Sequence, residues 1–260
     1  MKKVILVFLS VIFIFNINIF GQKKLSPIEQ QKIEQKYPSR MGNLLFDKNY
    51  AVFQNIKSYE IKTDTLKVYN NWYKPINFYF KNIPNYIICK AVPSTLKAGE
   101  TGVILVSFDA PKRNDFGYVF YRLGVQTTDS LQPMKLFNVN ANISEDFSKL
   151  TPKQLADAPV IVFKNEKYNF PEVTSGTNVS YSFEFSNQGK TDLIIRKAKP
   201  SCGCTATQPE KKILKPGESS RIKIVFNTRG RKGNQHKTIT VISNDPKHFQ
   251  KILHIQGTVK

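Results

Sequence analysis

The residues most suited to chemistry are two cysteines separated by one glycine, Cys202-Gly203-Cys204. In an oxidising compartment two neighbouring thiols tend to form a disulfide, and the tight ring of a C-x-C bridge would be strained and labile in thiol exchange. Two thiolates at this spacing also suit Cu(I), or Zn²⁺ if about two further ligands join them. A third interpretation is a tight loop at the edge of the fold, where Gly203 supplies a special φ angle and the sulfurs pack or bridge.

The other residues of these types build neither a metal site nor a catalytic one. The three histidines, His236, His248 and His254, do not stand at ligand spacing to the cysteine pair. Cys89 follows the apolar residues Tyr86-Ile87-Ile88 and is predicted to be a buried thiol rather than half of a bridge. The motifs G-x-S-x-G, H-E-x-x-H and the phosphate loop do not occur. We therefore predict a protein that is not an enzyme, without a cofactor and without catalytic residues.

Basic side chains form the second group of candidates. The chain has 39 Lys and Arg against 19 Asp and Glu, a net charge of +20, and residues 159–260 alone carry +11. Such an excess predicts an anionic partner, the alternative being a solvated basic face. Arg196, Lys197 and Lys199 precede the cysteine pair. Two further clusters follow, the second in a glycine-bracketed segment that we interpret as a projecting hairpin: Lys211, Lys212 and Lys215, then Arg229, Arg231, Lys232 and Lys237.

Export is predicted by the first residues. Met1-Lys2-Lys3 precedes an apolar run that ends at Phe20, and the small residue Gly21 suits a cleavage site, as in a signal peptide over residues 1–21. The alternative is a retained inner-membrane anchor, for which the run is short. The mature chain would begin at Gln22 with a net charge of +18, in the periplasm or at the outer membrane. No nucleic-acid partner is predicted there, and aromatic residues do not alternate with the basic ones as stacking platforms would.

The rest of the chain repeats itself. Leu66–Asn71 aligns with Phe183–Gln188 at a shift of 117 residues, and Val125–Asp129 with Val241–Asp245 at 116. Ordered matches at a nearly constant shift predict a divergent duplication. In each copy, alternating apolar and polar residues and turn signals every 8–12 residues predict an antiparallel, immunoglobulin-like sandwich of about seven strands.

Two lead-in segments predict a short helix before each copy. Ser26-Pro27-Ile28-Glu29 and Thr151-Pro152-Lys153-Gln154 both carry the capping-box pattern with proline at the first helical position. The predicted organisation is all-β apart from these helices: signal peptide 1–21, helical lead-in 22–43, sandwich one 44–143, helical linker 144–158 and sandwich two 159–260.

The second copy carries several short motifs in order: Phe183-Glu184-Phe185-Ser186-Asn187, Pro200-Ser201-Cys202-Gly203-Cys204-Thr205, Leu214-Lys215-Pro216-Gly217-Glu218 and Ser243-Asn244-Asp245-Pro246. In these motifs residues 160–260 resemble the bacterial domain-of-unknown-function family 1573, which is similar to the immunoglobulin-like domains of the hydin and major-sperm-protein kind. The first copy resembles the family only through the repeat and lacks the Cys-Gly-Cys pair. The resemblance implies a non-enzymatic, exported envelope domain with no agreed biochemical activity.

Two hypotheses on function result. The first is an exported binding or scaffold protein that docks an envelope protein or an anionic envelope surface through its sheet edges and basic loops. The second is a periplasmic thiol-redox or copper-handling protein that uses Cys202 and Cys204.

Overall fold

The computed structural model describes residues 25–260. The predicted signal peptide, residues 1–21, lies outside this range. The described part contains three short helices and nineteen strands, and its buried apolar residues form two large, separate cores. None of the helices within residues 25–260 has the length and apolarity that crossing a membrane requires.

The first sandwich follows helix α1 (Pro27–Lys36) and contains helix α2 (Ala110–Arg113). Its strands are β1 (Ser39–Met41), β2 (Leu44–Phe46), β3 (Tyr50–Lys57), β4 (Ile61–Asn70), β5 (Ile76–Tyr79), β6 (Ile87–Val92), β7 (Thr95–Leu96), β8 (Thr101–Asp109), β9 (Gly117–Thr127) and β10 (Met134–Ser144). They form two five-stranded sheets, in the orders β1-β2-β4-β8-β6 and β3-β10-β9-β5-β7.

The second sandwich follows helix α3 (Pro152–Ala156). Its strands are β11 (Ile161–Phe163), β12 (Lys167–Asn169), β13 (Asn178–Asn187), β14 (Leu193–Pro200), β15 (Thr205–Pro209), β16 (Ile213–Leu214), β17 (Ser219–Asn227), β18 (Gly233–Ser243) and β19 (Gln250–Val259). One sheet has the order β11-β13-β17-β15 and the other β12-β19-β18-β14-β16.

The two strand orders are the same apart from β1. Each strand from β2 to β10 has a counterpart in β11 to β19, and the first residues of the paired strands are offset by 116 to 118 positions. The prediction of two tandem immunoglobulin-like sandwiches is confirmed. The estimate of about seven antiparallel strands is too low, because strands of two or three residues such as β7 and β16 carry no periodic pattern. One pair in each sandwich is also parallel, β3 with β10 and β12 with β19.

The predicted alternation of apolar and polar side chains along the strands builds the two cores. In β13, Val179, Phe183 and Phe185 are buried while Ser180 and Glu184 are exposed. Phe183 lies opposite Ile222 of β17, and both side chains are almost inaccessible to water. Burying such side chains removes apolar surface from water, which is the main favourable term in folding.

A buried asparagine closes the same turn in each sandwich. The Asn70 amide donates hydrogen bonds to the carbonyls of Lys74 (2.8 Å) and Leu96 (2.9 Å). The Asn187 amide donates equally to Thr191 (2.8 Å) and Leu214 (3.0 Å). Both asparagines are fully buried, and their bonds to Leu96 and Leu214 satisfy backbone carbonyls inside the sandwich.

A buried aspartate occupies a second equivalent position. Asp129 accepts hydrogen bonds from the Asn43 backbone (2.8 Å) and from the buried ammonium of Lys135. Asp245 accepts instead from backbone nitrogens, Ile161 (3.0 Å) and Lys247 (2.9 Å) among them. The duplicated copies thus keep the carboxylate and differ in the donors that satisfy it.

The sandwiches meet in a joint built mainly from β14 and the start of β9. Lys197 forms an ion pair with Asp115 at 2.6 Å, and Arg196 forms one with Glu145 at 2.9 Å. Phe249 packs edge-on against Phe116, with ring centroids 6.0 Å apart. Burial alone would raise the pKa of Asp115, but hydrogen bonds from Lys197 and from the Phe116 backbone hold it below its ordinary value.

The predicted helix starts are both present. Ser26 and Thr151 each form a complete capping box, and the helices end at Lys36 and Ala156, ahead of the prolines at positions 38 and 159. In both helices proline follows the N-cap directly, at the first helical position. The missing N–H of proline loses no helical hydrogen bond there.

Candidate functional site

The candidate site lies at the end of the second sandwich, where a four-residue turn joins β14 to β15. Within this cystine loop, residues 201–204, Cys202 and Cys204 are joined by a disulfide with their Cα atoms 5.3 Å apart. Both cysteines are half-buried, and Cys204 packs against the core of the sandwich. The Cys202 sulfur lies 3.6 Å from the Thr205 hydroxyl.

Backbone hydrogen bonds tie the cystine loop to both sheets. The Asn227 N–H at the end of β17 donates to the Cys204 carbonyl at 2.9 Å, and the Ser201 N–H donates to Thr238 of β18 at 2.8 Å. The Thr238 N–H in turn donates to the Ser201 hydroxyl at 3.1 Å. The loop is therefore held by bonds that do not involve sulfur.

Gly203 does not have the special φ angle that the sequence led us to expect. Its φ lies outside the left-handed region, and apart from its two chain neighbours no residue has an atom within 4 Å of the position a Cβ would take. The residue is exposed. Glycine here is thus not required by backbone conformation or by packing against other parts of the sandwich.

The second basic cluster is adjacent to the cystine loop but is not part of a hairpin. β17 and β18 belong to different sheets, so residues 228–232 cross from one sheet to the other, and the hairpin interpretation is wrong. The glycine pattern was misleading because Gly230 (φ 70°) and Gly233 (φ 74°) turn the chain in the same way as the glycines of a hairpin loop. Arg229, Arg231 and Lys232 are exposed as expected.

We call the basic residues around the cystine loop the cationic end: Lys199, Arg229, Arg231, Lys232 and Lys237. Lys199 precedes the loop on β14, and Arg229 donates its N–H to Asn227, the residue that binds the Cys204 carbonyl. Lys237 is half-buried, with its ammonium 5.8 Å from the centre of the Phe226 ring. Within residues 25–260, no member of the cationic end forms an ion pair.

The first basic cluster lies elsewhere. Lys211, Lys212 and Lys215 surround β16, beside the start of β17, whereas the cystine loop lies beside the end of β17. Nine residues of strand separate the two clusters by about 26 Å. Lys211 is paired with Glu218, whose carboxylate also accepts the Lys215 N–H at 3.0 Å. The structure does not bring the two predicted clusters together, and it places Arg196 and Lys197 in the joint between the sandwiches.

The histidines contact each other or Asp245 rather than the cysteine sulfurs. His236 and His254 share a hydrogen bond between ring nitrogens 3.0 Å apart, and His248 contacts Asp245 at 3.1 Å. Across the described range 25–260, no group of three or more His, Cys, Asp or Glu residues could hold a metal ion. In the disulfide, Cys202 and Cys204 offer no thiolate to copper or zinc.

Cys89 is a free thiol in β6, as the sequence predicted, but it is half-buried against the core of the first sandwich rather than buried. Burial raises its pKa to about 12. The thiol therefore stays protonated and a poor nucleophile at neutral pH. The segment equivalent to the cystine loop in this sandwich, residues 80–86 between β5 and β6, contains no cysteine.

Comparison with known proteins shows that the second sandwich is similar to one protein family. Residues 161–259 match the model of a family described as "Protein of unknown function (DUF1573)", which confirms the resemblance seen in the sequence. No curated protein sequence matches the chain.

Solved structures extend the likeness to both sandwiches. The crystal structure of a protein of unknown function from Porphyromonas gingivalis W83 is similar at a TM-score of 0.61 and 17% identity, covering 84% of this chain and 100% of that one. The PapD-like domain 7 of human CEP192 has a TM-score of 0.33 at 17% identity, covering 43% of this chain and 92% of that one. The first likeness supports the fold alone, and the second is too distant to carry an argument. Residues 161–259 thus match the DUF1573 family model and form the second of two tandem immunoglobulin-like sandwiches.

Proposed function

We propose that this chain is an exported, non-enzymatic binding and scaffold protein of the cell envelope, which docks an anionic partner with its cationic end. The observation that carries the proposal is that Lys199, Arg229, Arg231 and Lys232 form no ion pair with any residue in the described range 25–260. Exposed cations without internal partners are free to bind an external anion, and they create a positive field that attracts it.

The rest of the second sandwich makes the contrast clear. Six of its other basic residues are neutralised by carboxylates: the pairs are Lys164–Glu184, Lys190–Asp157, Lys211–Glu218, Arg221–Glu210, Lys251–Glu166 and Lys260–Glu172. Within the described residues, ten basic residues of this sandwich form no ion pair, and five of them make up the cationic end. The other five are spread over the rest of the sandwich: Lys167, Lys212, Lys215, Lys223 and Lys247. The cationic end is therefore the largest group of unpaired cations in this sandwich.

The two sheet edges at equivalent positions differ in their contacts. In the second sandwich β15 is the edge strand, and the Thr207 hydroxyl donates to the Ala198 carbonyl of β14 at 2.9 Å, which ties this edge to the opposite sheet. In the first sandwich the edge strand β6 exposes Ile88 and Val92. An open edge with exposed apolar side chains suits a partner that adds a strand. We propose that β6 has a scaffold role, in addition to the docking role of the cationic end.

Export and an envelope location belong to the same proposal. The leader of residues 1–21 would be removed, and the mature chain of +18 would act in the periplasm or at the outer membrane, where lipids and polymers carry negative charge. The test begins with the amino terminus of the protein recovered from cells, which should be Gln22.

The docking role is tested by cell fractionation. Wild-type protein should pellet with envelopes at low salt and be released at high salt, because exposed charge interactions are screened. A variant with Arg229→Glu, Arg231→Glu and Lys232→Glu should appear in the soluble fraction. Envelopes treated with protease distinguish a protein partner from a lipid or polymer. Fractionation that is the same for wild type and variant would refute the docking role.

A further inference from the structure

We propose that the Cys202–Cys204 disulfide is an exchangeable redox site that accepts two electrons from a protein dithiol. This inference goes beyond the docking role and does not depend on it. It rests on the access to the disulfide, on the charge around it, and on the fact that the fold does not need the bridge.

Access is the first observation. Both cysteines are half-buried rather than enclosed, and Gly203 between them is exposed. Apart from Cys202 and Cys204 themselves, no residue has an atom within 4 Å of the position that a Cβ on Gly203 would take. A thiolate can therefore approach the ring from outside. Cys204 packs against the core whereas Cys202 is not part of it, so Cys202 presents the sulfur that is attacked.

Charge is the second observation. The cystine loop lies between Lys199 on β14 and the segment that carries Arg229, and neither side chain is paired with a carboxylate. Cations next to a cysteine stabilise its thiolate, both as a product of disulfide cleavage and as a nucleophile. They also attract the thiolate of the incoming partner.

The duplication supplies the third observation. The cystine loop is already held by the hydrogen bonds from Asn227 to Cys204 and between Ser201 and Thr238. In the first sandwich the equivalent connection, residues 80–86, is ordered without any cysteine: the Ile87 N–H donates to the Pro84 carbonyl at 2.9 Å, and Tyr86 packs on Phe108. The same topology thus forms with and without a bridge at this position.

The reaction is a pair of thiol–disulfide exchanges. A thiolate of the partner attacks the Cys202 sulfur, a new S–S bond forms, and the Cys202–Cys204 bond breaks with its electron pair passing to Cys204. The partner's second thiolate then attacks the partner's own sulfur in the mixed disulfide and releases Cys202 as a thiolate. The partner leaves as a disulfide and this chain is left as a dithiol, its two thiolates taking up the two protons that the partner's thiols released.

The test uses the mature chain, dithiothreitol as the dithiol, and quenching by excess alkylating reagent under native conditions, followed by mass spectrometry. The cystine should be reduced while the protein stays folded, and Cys89 should remain unalkylated before denaturation because it is half-buried with a raised pKa. Neutralising Arg229, Arg231 and Lys232 to Gln should slow reduction by about threefold to tenfold. The matched variant with Lys211, Lys212 and Lys215 changed to Gln should keep the wild-type rate.

Two results would overturn the proposal. One is a cystine that is reduced only when the sandwich unfolds, and the other is an equal rate in both charge variants. The Cys202→Ser, Cys204→Ser double variant separates this proposal from the docking role, since it should lose exchange and still bind envelopes. Failure of the docking role alone would leave exchange unchanged.

Discussion

Reducing the Cys202–Cys204 bridge should lower the free energy of unfolding of the second sandwich only slightly. The bonded residues are two positions apart in sequence. In the chain-entropy description, a cross-link that closes a loop of three residues raises the free energy of the unfolded chain by about 1.6 kcal/mol, because it removes conformational entropy. A loop of about 100 residues would raise it by about 4.7 kcal/mol. The remaining contacts of the loop are backbone hydrogen bonds that survive reduction, so this figure is the expected change.

The assay is a pair of urea titrations of the mature chain, oxidised and reduced, followed by hydrogen exchange in peptides from β13 and β17. The chain supplies its own control, because its single tryptophan, Trp72, packs against the core of the first sandwich. Tryptophan fluorescence should give the same midpoint in both redox states. A loss of about 4 kcal/mol or more in the second sandwich would show that the cystine is a structural cross-link and would refute the reasoning behind the exchange site.

Four further predictions concern the fold. Lys135→Met should destabilise the first sandwich by about 3–5 kcal/mol in urea titrations followed by fluorescence, because Asp129 would remain buried without its ion-pair partner. Burial by itself would raise the pKa of Asp129, but hydrogen bonds from Lys135 and backbone nitrogens hold it below its usual range. The stability that Asp129 contributes in wild type is therefore present above about pH 4 and is lost as the pH falls through the folded-state pKa. A urea midpoint that does not change with pH would contradict this prediction. Asn70→Ala and Asn187→Ala should each cost about 2–4 kcal/mol in their own sandwich by hydrogen exchange, since each leaves buried carbonyls without a donor; a cost confined to one copy would show that the two turns are not equivalent. Phe249→Ala should weaken the contact between the two sandwiches by about 1–2 kcal/mol and change the small-angle scattering profile, with both cores intact. An unchanged profile would show that the ion pairs alone hold the sandwiches together.

The fold was largely accessible from the sequence because period-two alternation and local capping are short-range signals. Val179 to Phe185 predicts a half-buried strand, and Ser26 with Glu29 predicts a helix start, without reference to the rest of the chain. The parallel pairs and the shortest strands could not be predicted in the same way. Their pairing is decided by distant partners, as when Lys167 to Asn169 align with residues 254–256.

The candidate site was predicted in composition but not in arrangement. The sequence pointed to Cys202, Cys204 and the basic clusters, yet it could not show that Arg229 lies beside the cystine loop while Lys211 lies at the opposite end. Proximity in this fold follows from which strands share an end, and that depends on topology. The joint was missed for the same reason, because Lys197 and Asp115 are 82 residues apart.

The most direct test of the docking role is the affinity of the purified mature chain for washed envelopes at two ionic strengths. We expect the Arg229→Glu, Arg231→Glu, Lys232→Glu variant to bind at least about tenfold more weakly than wild type at low salt, since three attractive contacts become repulsive. The control variant with the same change in net charge, Lys211→Glu, Lys212→Glu and Lys215→Glu, should stay within about twofold of wild type. Equal weakening of both variants would mean that only net charge matters, and no weakening of the first would contradict a docking role for the cationic end.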